Sequence, residues 1–193
     1  MGYLYKQTEK YITKIQPTDI FLEIGTARGG GYSTDYYARL AEQHNVGFYT
    51  VDIDDRSEML QYISNVAGIC APGSVWAQEV FPTMKKTIAC LYLDNYDYNY
   101  WIGDRCQMIE DQKKEYNEKY NIILNNQDCV VEHLKQMMAL LPYMSEESLV
   151  VCDDTYLSND CWIGKCGAVV PYLIANGFNI VEIENIEGSS FGV

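Results

Sequence analysis

The feature that most restricts the fold is a recurring pattern: short apolar runs, each closed by glycine or an acid, separated by stretches with helical spacing. Ile20-Phe21-Leu22-Glu23-Ile24 stops at a glycine cluster running from Gly25 to Gly31. Gly47 to Val51 ends at Asp52, Ile88 to Leu93 at Asp94, and Leu149 to Cys152 at Asp153-Asp154. Runs of this kind suit strands buried on both faces. Between them, residues 32–43 set Tyr36, Tyr37, Leu40 and Ala41 on one helical face, and residues 55–66 read as a second helix. Ser74 to Gln78 reads as a short third strand. A helix over Lys165 to Ala175, closed by Asn176-Gly177, leads to two last strands at Phe178 to Ile183 and Ser190 to Val193. Strands and helices in alternation give an α/β fold: a mostly parallel, doubly wound sheet of seven strands with helices on both faces.

The 193 residues suffice for one domain with a core that needs no staples. Residues 104–146 exceed a single crossover and form a helical insertion. It comprises a charged helix from Asp104 to Tyr120 and an amphipathic one from Asp128 to Leu141, carrying Val131, Leu134, Met137, Met138 and Leu141. The first of these is either a solvated helix beside a packed one, or a cap or dimer arm over the site. Lys and Arg number 14 against 27 Asp and Glu, a formal charge of −13. That balance argues against nucleic acid, whose phosphates are bound through Lys and Arg, and against an anionic membrane surface. No apolar run approaches the roughly 20 residues of a membrane span, and Met1 to Lys14 lacks the apolar stretch of a secretion signal. The seven cysteines form no CxxC pair and mostly lie in apolar runs, which reads as reduced core thiols in a cytoplasmic protein. Small molecules and metal cations are the partners left, with self-association open.

Parallel sheets bind ligands beyond the carboxyl ends of their strands. The cluster Glu23-Ile24-Gly25-Thr26-Ala27-Arg28-Gly29-Gly30-Gly31 lies between a strand and a helix, where backbone can approach a ligand closely. Asp52 ends the next strand, where a carboxylate can accept hydrogen bonds from both hydroxyls of a ribose. A plain tight turn and a solvated strand-end acid are the plainer alternatives. Asp94, Asp153 and Asp154 follow two strands and could converge on a hard cation, or simply cap the loops that follow. The dinucleotide fingerprint GxGxxG is missing, since Ala27 stands at its middle glycine.

The Glu-x-Gly-x-x-x-Gly cluster, with an acid ending the next strand, resembles the class I S-adenosylmethionine-dependent methyltransferases, whose sheet is Rossmann-like. The resemblance implies a cofactor site at Glu23, Gly25, Thr26, Gly29 and Asp52, with Gln78 and Glu79 near the adenine. Asp94 and the Asp153-Asp154 pair, with the double glycine Gly29-Gly30, are similar to the catechol O-methyltransferase-like and cephalosporin hydroxylase-like group. That group implies Mg²⁺ on Asp94, Asp153 and Asp154. Where the catechol enzymes have a basic lysine, this chain has Asp97, which stands as the candidate base. Lys165 is either a charge partner for the acids or a surface residue at a helix start. Tyr92, Tyr96, Tyr98, Tyr100, Trp101, Tyr156 and Trp162 either wall a flat or cationic substrate or simply pack. The expected activity is methyl transfer from S-adenosylmethionine to an oxygen of a small-molecule acceptor, assisted by Mg²⁺. The alternatives are an NAD(P)-dependent oxidoreductase on a similar sheet and a non-catalytic S-adenosylmethionine-binding protein.

Overall fold

The first apolar run forms β1 (Asp19–Ile24), buried at every position. It can be so because strands pair with both of its edges and helices pack on both of its faces. Ser33–Gln43 then forms helix α1, Gly47–Asp52 strand β2, Ser57–Leu60 the single-turn α2, and Val66–Cys70 strand β3. Gly73–Val75 opens helix α3, which widens over Trp76–Val80 and tightens over Phe81–Met84 before β4 (Thr87–Leu93). The insertion supplies α4 (Asp104–Tyr120) and α5 (Asn126–Leu140). Strand β5 (Met144–Cys152), a hairpin of β6 (Thr155–Ser158) and β7 (Cys161–Gly164), and helix α6 (Val169–Ala175) complete the chain. This computed structural model describes residues 8–12, 14–27, 32–96 and 104–183.

The protein is an α/β domain whose central sheet runs β3-β2-β1-β4-β5, with every neighbouring pair parallel. Successive residues of β1 feed two cores, as the period of a strand requires. Ile20, Leu22 and Ile24 pack with Trp76, Met137 of α5 and Val169 of α6, while Phe21 packs with Tyr37 and Leu40 of α1 and Phe48 of β2. Each such side chain contributes about 1.5–3 kcal/mol by leaving water. The common polarity of the strands brings the ends of β1, β2, β4 and β5 to one edge. Among the described residues no helix is long and apolar enough to cross a membrane.

Several boundaries differ from the sequence reading. The third strand is Val66–Cys70, whereas Ser74 to Gln78 is helical. Trp76, Ala77 and Phe81 are buried on the inner side of that helical stretch, and a short apolar run does not distinguish a buried helix from a buried strand. The helix expected over 55–66 stops at Leu60, and Asn65, with φ 55°, turns the chain into β3. Helix α6 starts at Val169 instead of Lys165. Its expected stop is present: Gly177 has φ 92° and donates to the Ile174 carbonyl at 3.1 Å. Phe178 to Ile183 forms no strand, and Ser190 to Val193 lies outside the described residues, so five strands of the sheet are described instead of seven. In α5 the buried residues are Cys129, His133, Gln136, Met137 and Leu140, while Val131 and Met138 are exposed.

Candidate functional site at the carboxyl edge of the sheet

The bend after β1 is fixed by contacts that tolerate no side chain. Gly25 has φ 102°, and its amide donates to the Val51 carbonyl at 2.8 Å. A Cβ there would overlap the Asp94 carbonyl group and the Asn95 nitrogen. Beside it, the Thr26 amide donates to Asp52 Oδ2 at 3.1 Å, and the Ala27 amide donates to Thr34 Oγ1 at 2.9 Å. Glu23 stands beneath this bend, fully buried. It accepts hydroxyl bonds from Ser33, Thr34 and Thr50, each at 2.7 Å. Burial pushes its carboxyl up to about 7; the three hydroxyls pull it back and the Asp94 charge pushes it further up. Both Glu23 oxygens thus face the scaffold, and its place in the site is to position the bend and the start of α1.

Above the bend lies a cavity of about 150 Å³ lined by Gly25, Thr26, Ala27, Asp52, Asn95 and Gln112, among others. Asp52 Oδ1 accepts from the Asp54 amide at 2.8 Å, and Arg56 Nε lies 3.5 Å from Asp52 Oδ2. A carboxylate has about four acceptor positions, so these contacts orient Asp52 and leave capacity for ligand hydroxyls. Helix α4 forms one wall. Its residues Ile109, Gln112 and Tyr116 are buried at helical spacing, and the Tyr116 ring meets Tyr96 edge-on with centroids 5.7 Å apart. Tyr120, one turn further, donates its hydroxyl to Asp54 Oδ1. The charged helix thus contributes Gln112 and Tyr116 to the lining of the cavity.

The acids at the ends of β4 and β5 do come together, and what they surround is an ammonium. Lys165 is 2% exposed, with Nζ 2.5 Å from Asp94 Oδ1, 3.2 Å from Asp154 Oδ2 and 3.9 Å from Asp153 Oδ2. The expectation of a surface lysine fails, and that of a charge partner holds. The β6–β7 hairpin explains why. Asn159 and Asp160 both have positive φ, as a two-residue hairpin turn demands, and the returning strand ends at Gly164 with φ 97°. The Lys165 amide then donates to the Asp154 carbonyl at 3.1 Å, which fixes the side chain among the acids. Tyr92 donates to Asp94 Oδ2 and Tyr156 to Asp154 Oδ1, both at 3.3 Å. Burial and the neighbouring Asp94 hold the Asp153 carboxyl well above the usual range, against the pull of Lys165. Six-coordinate Mg²⁺ does not fit this set while the ammonium occupies its centre. Among the described residues no group of three ligating side chains is disposed to hold a metal.

Of the residues expected at a cofactor, Gly25, Thr26 and Asp52 line the cavity and Glu23 supports it from below. Gln78 and Glu79 are exposed on the helical stretch after β3 and do not line it. Gly29 and Asp97, like Tyr98, Tyr100 and Trp101, lie outside the described residues. Asn95, Tyr96, Gln112 and Tyr116 are cavity residues that the sequence reading did not assign to the cofactor. The spacing Ile109, Gln112, Tyr116, Tyr120 was the available signal, a helical stripe hidden among charges. Compared with known proteins, the chain matches no family model and no curated protein.

Proposed function

We propose that the chain binds S-adenosylmethionine in the cavity between the Gly25–Ala27 bend and Asp52, on a Rossmann-like doubly wound domain, and transfers its methyl group to an oxygen of a small-molecule acceptor. One observation carries the reading: the bend after β1 and the acid after β2 line a single cavity at the carboxyl edge, as a ribose-bearing ligand requires. When bound, the cofactor supplies a methyl group on a sulfonium, whose electron pair stays with sulfur on transfer. The chain contributes placement. Gly25 admits the ligand against bare backbone, and Asp52, oriented by the Thr26 and Asp54 amides, takes the sugar hydroxyls. Lys165 holds Asp94, Asp153 and Asp154 as a polar floor beside the cavity. In this reading the buried ammonium stands in place of the Mg²⁺ that the resemblance implies, and Asp97 takes the acceptor's proton. Alignment of the acceptor oxygen with the methyl carbon supplies most of the acceleration.

A thermal-shift comparison tests the reading. S-adenosylhomocysteine at 100 times its Kd adds about 2.7 kcal/mol, a rise of roughly 5–10 °C for a chain of this size. NADH and NADPH leave the melting temperature unchanged, and Asp52→Ala abolishes the rise. Stabilisation by either nicotinamide cofactor and none by S-adenosylhomocysteine overturns the proposal.

A further inference from the structure

Helix α4 is anchored differently from the rest of the cavity wall. The other lining residues come from the ends of β1, β2 and β4 and from the start of α3, all seated on the sheet. Among the described side chains of α4, Ile109, Gln112 and Tyr116 are buried, one per turn, and neither core cluster includes them. By contrast α5 puts Met137 and Leu140 into one core, and α1 puts Tyr37 and Leu40 into the other. An element with so little apolar burial is the part of a fold that opens at least cost. The cavity, about 150 Å³, is smaller than the roughly 300–1,000 Å³ of pockets that enclose drug-sized ligands. A nucleoside carrying an amino acid is such a ligand. The close-packed sheet resists widening; α4 does not.

The C-terminal end of α4 is tied to the loop between β2 and α2. Tyr120 donates to Asp54 Oδ1, and Lys119 Nζ lies 3.7 Å from the same oxygen. Asp54 is in turn joined to the acid of the cavity. Its amide donates to Asp52 Oδ1 at 2.8 Å, and Arg56 reaches Asp54 Oδ2 at 2.9 Å and Asp52 Oδ2 at 3.5 Å. Beyond the tie the chain turns at Asn121, with φ 54°, and passes the exposed Ile123 before Leu124 is buried and Asn125 caps α5. Residues 121–123, in neither helix nor strand, are where a change of backbone angle would be absorbed. We infer that α4 is a movable cover on the cofactor site, latched shut through Tyr120 and Lys119 on Asp54, which swings about residues 121–123 to admit and release the ligand. The inference rests on the cofactor reading above and adds to it how the site opens. Tyr120 and Lys119 do not line the cavity, so a weaker latch alters the ease of opening and not the contacts to the ligand. Free and liganded protein are both mostly closed, and both must open for the ligand to pass. A weaker latch therefore raises the association and dissociation rates by one factor and leaves the Kd almost unchanged.

Surface plasmon resonance on the immobilised full chain, with S-adenosylhomocysteine as the analyte, tests this. Tyr120→Phe removes a hydrogen bond to a carboxylate and raises both rate constants about tenfold, with the Kd held within about twofold. Lys119→Met removes the longer, half-exposed contact and raises both about twofold. Faster association at an unchanged Kd is a gain that a misfolded variant cannot mimic. Unchanged rates in Tyr120→Phe, or faster dissociation alone with a matching rise in Kd, overturns the inference and leaves the cofactor reading standing. Binding of no S-adenosylhomocysteine by the intact protein removes both.

Discussion

At the end of β1 one buried carboxylate is held by three neutral hydroxyls, whereas at the ends of β4 and β5 three carboxylates are held by one buried ammonium. The two arrangements solve the same problem, an acid withdrawn from water, with opposite electrostatic results. Hydroxyl donors offset only part of the cost of burying Glu23, so its carboxyl rises to about 7 and its charge becomes negotiable near neutral pH. Lys165 supplies a full counter-charge, but three acids share it. Among them Asp153 is pushed up because burial and the Asp94 charge together outweigh the ammonium. The first cluster builds a rigid bend; the second builds a polar floor with surplus negative charge, open to solvent on the Asp154 side.

Lys165→Met breaks the second arrangement and should produce the largest effect. It leaves the carboxylates without their ammonium, at a cost of about 3–5 kcal/mol at pH 7. Chemical denaturation should show that cost shrinking as the pH falls and the acids take up protons. A deficit unchanged between pH 7 and pH 4.5 would mean that the lysine acts by packing alone. Mg²⁺ should not stabilise the intact protein, in which the ammonium holds the site.

Glu23→Gln breaks the first arrangement, and its signature is a slope. The folded carboxyl titrates near 7, above its ordinary 4.5, so the folded state binds the proton more tightly than the unfolded chain. The associated stability is fully present below pH 4.5 and is lost as the pH rises through 7, a loss on the order of 3 kcal/mol. His133 acts the other way. Buried and held down to about 3, it contributes stability above pH 6.5 that is lost as the pH falls. The two slopes oppose each other between pH 4.5 and 6.5, so the informative quantity is the difference between the intact protein and Glu23→Gln. That difference should fall steadily from pH 4.5 to pH 8; a flat one contradicts the assignment.

The smallest effect sharpens the comparison at its exposed side. Tyr156→Phe removes a single long hydroxyl bond to half-exposed Asp154 and should cost about 0.5–1 kcal/mol. The denaturation midpoint reports it. A cost as large as that of Lys165→Met would mean that the floor depends on the tyrosine hydroxyls and not on the ammonium.

What the sequence made legible follows the same division. The bend, Asp52 and the acids after β4 and β5 could be placed because each closes an apolar run, and a parallel sheet must gather such ends on one edge. The third strand falls at Val66–Cys70, a half-exposed edge strand with a central glycine, whereas the short apolar run Val75-Trp76-Ala77 is helical, and a run of that length does not distinguish a strand from a buried helix. For Lys165 the sequence leaves a surface residue and a charge partner both open, because lysines are mostly exposed. Its burial depends on a hairpin whose only sequence mark is Asn159-Asp160. Gln112 is hard to read for a different reason: its helical stripe with Ile109 and Tyr116 is hidden among the charges of α4, and which residues cover a cavity depends on tertiary placement.

Electron density for the protein crystallised with S-adenosylhomocysteine tests the central claim most directly. The account predicts the two sugar hydroxyls within hydrogen-bond distance of the Asp52 carboxylate and the chain passing over Gly25. A ligand bound elsewhere, with nothing in contact with Asp52 or Gly25, would contradict it.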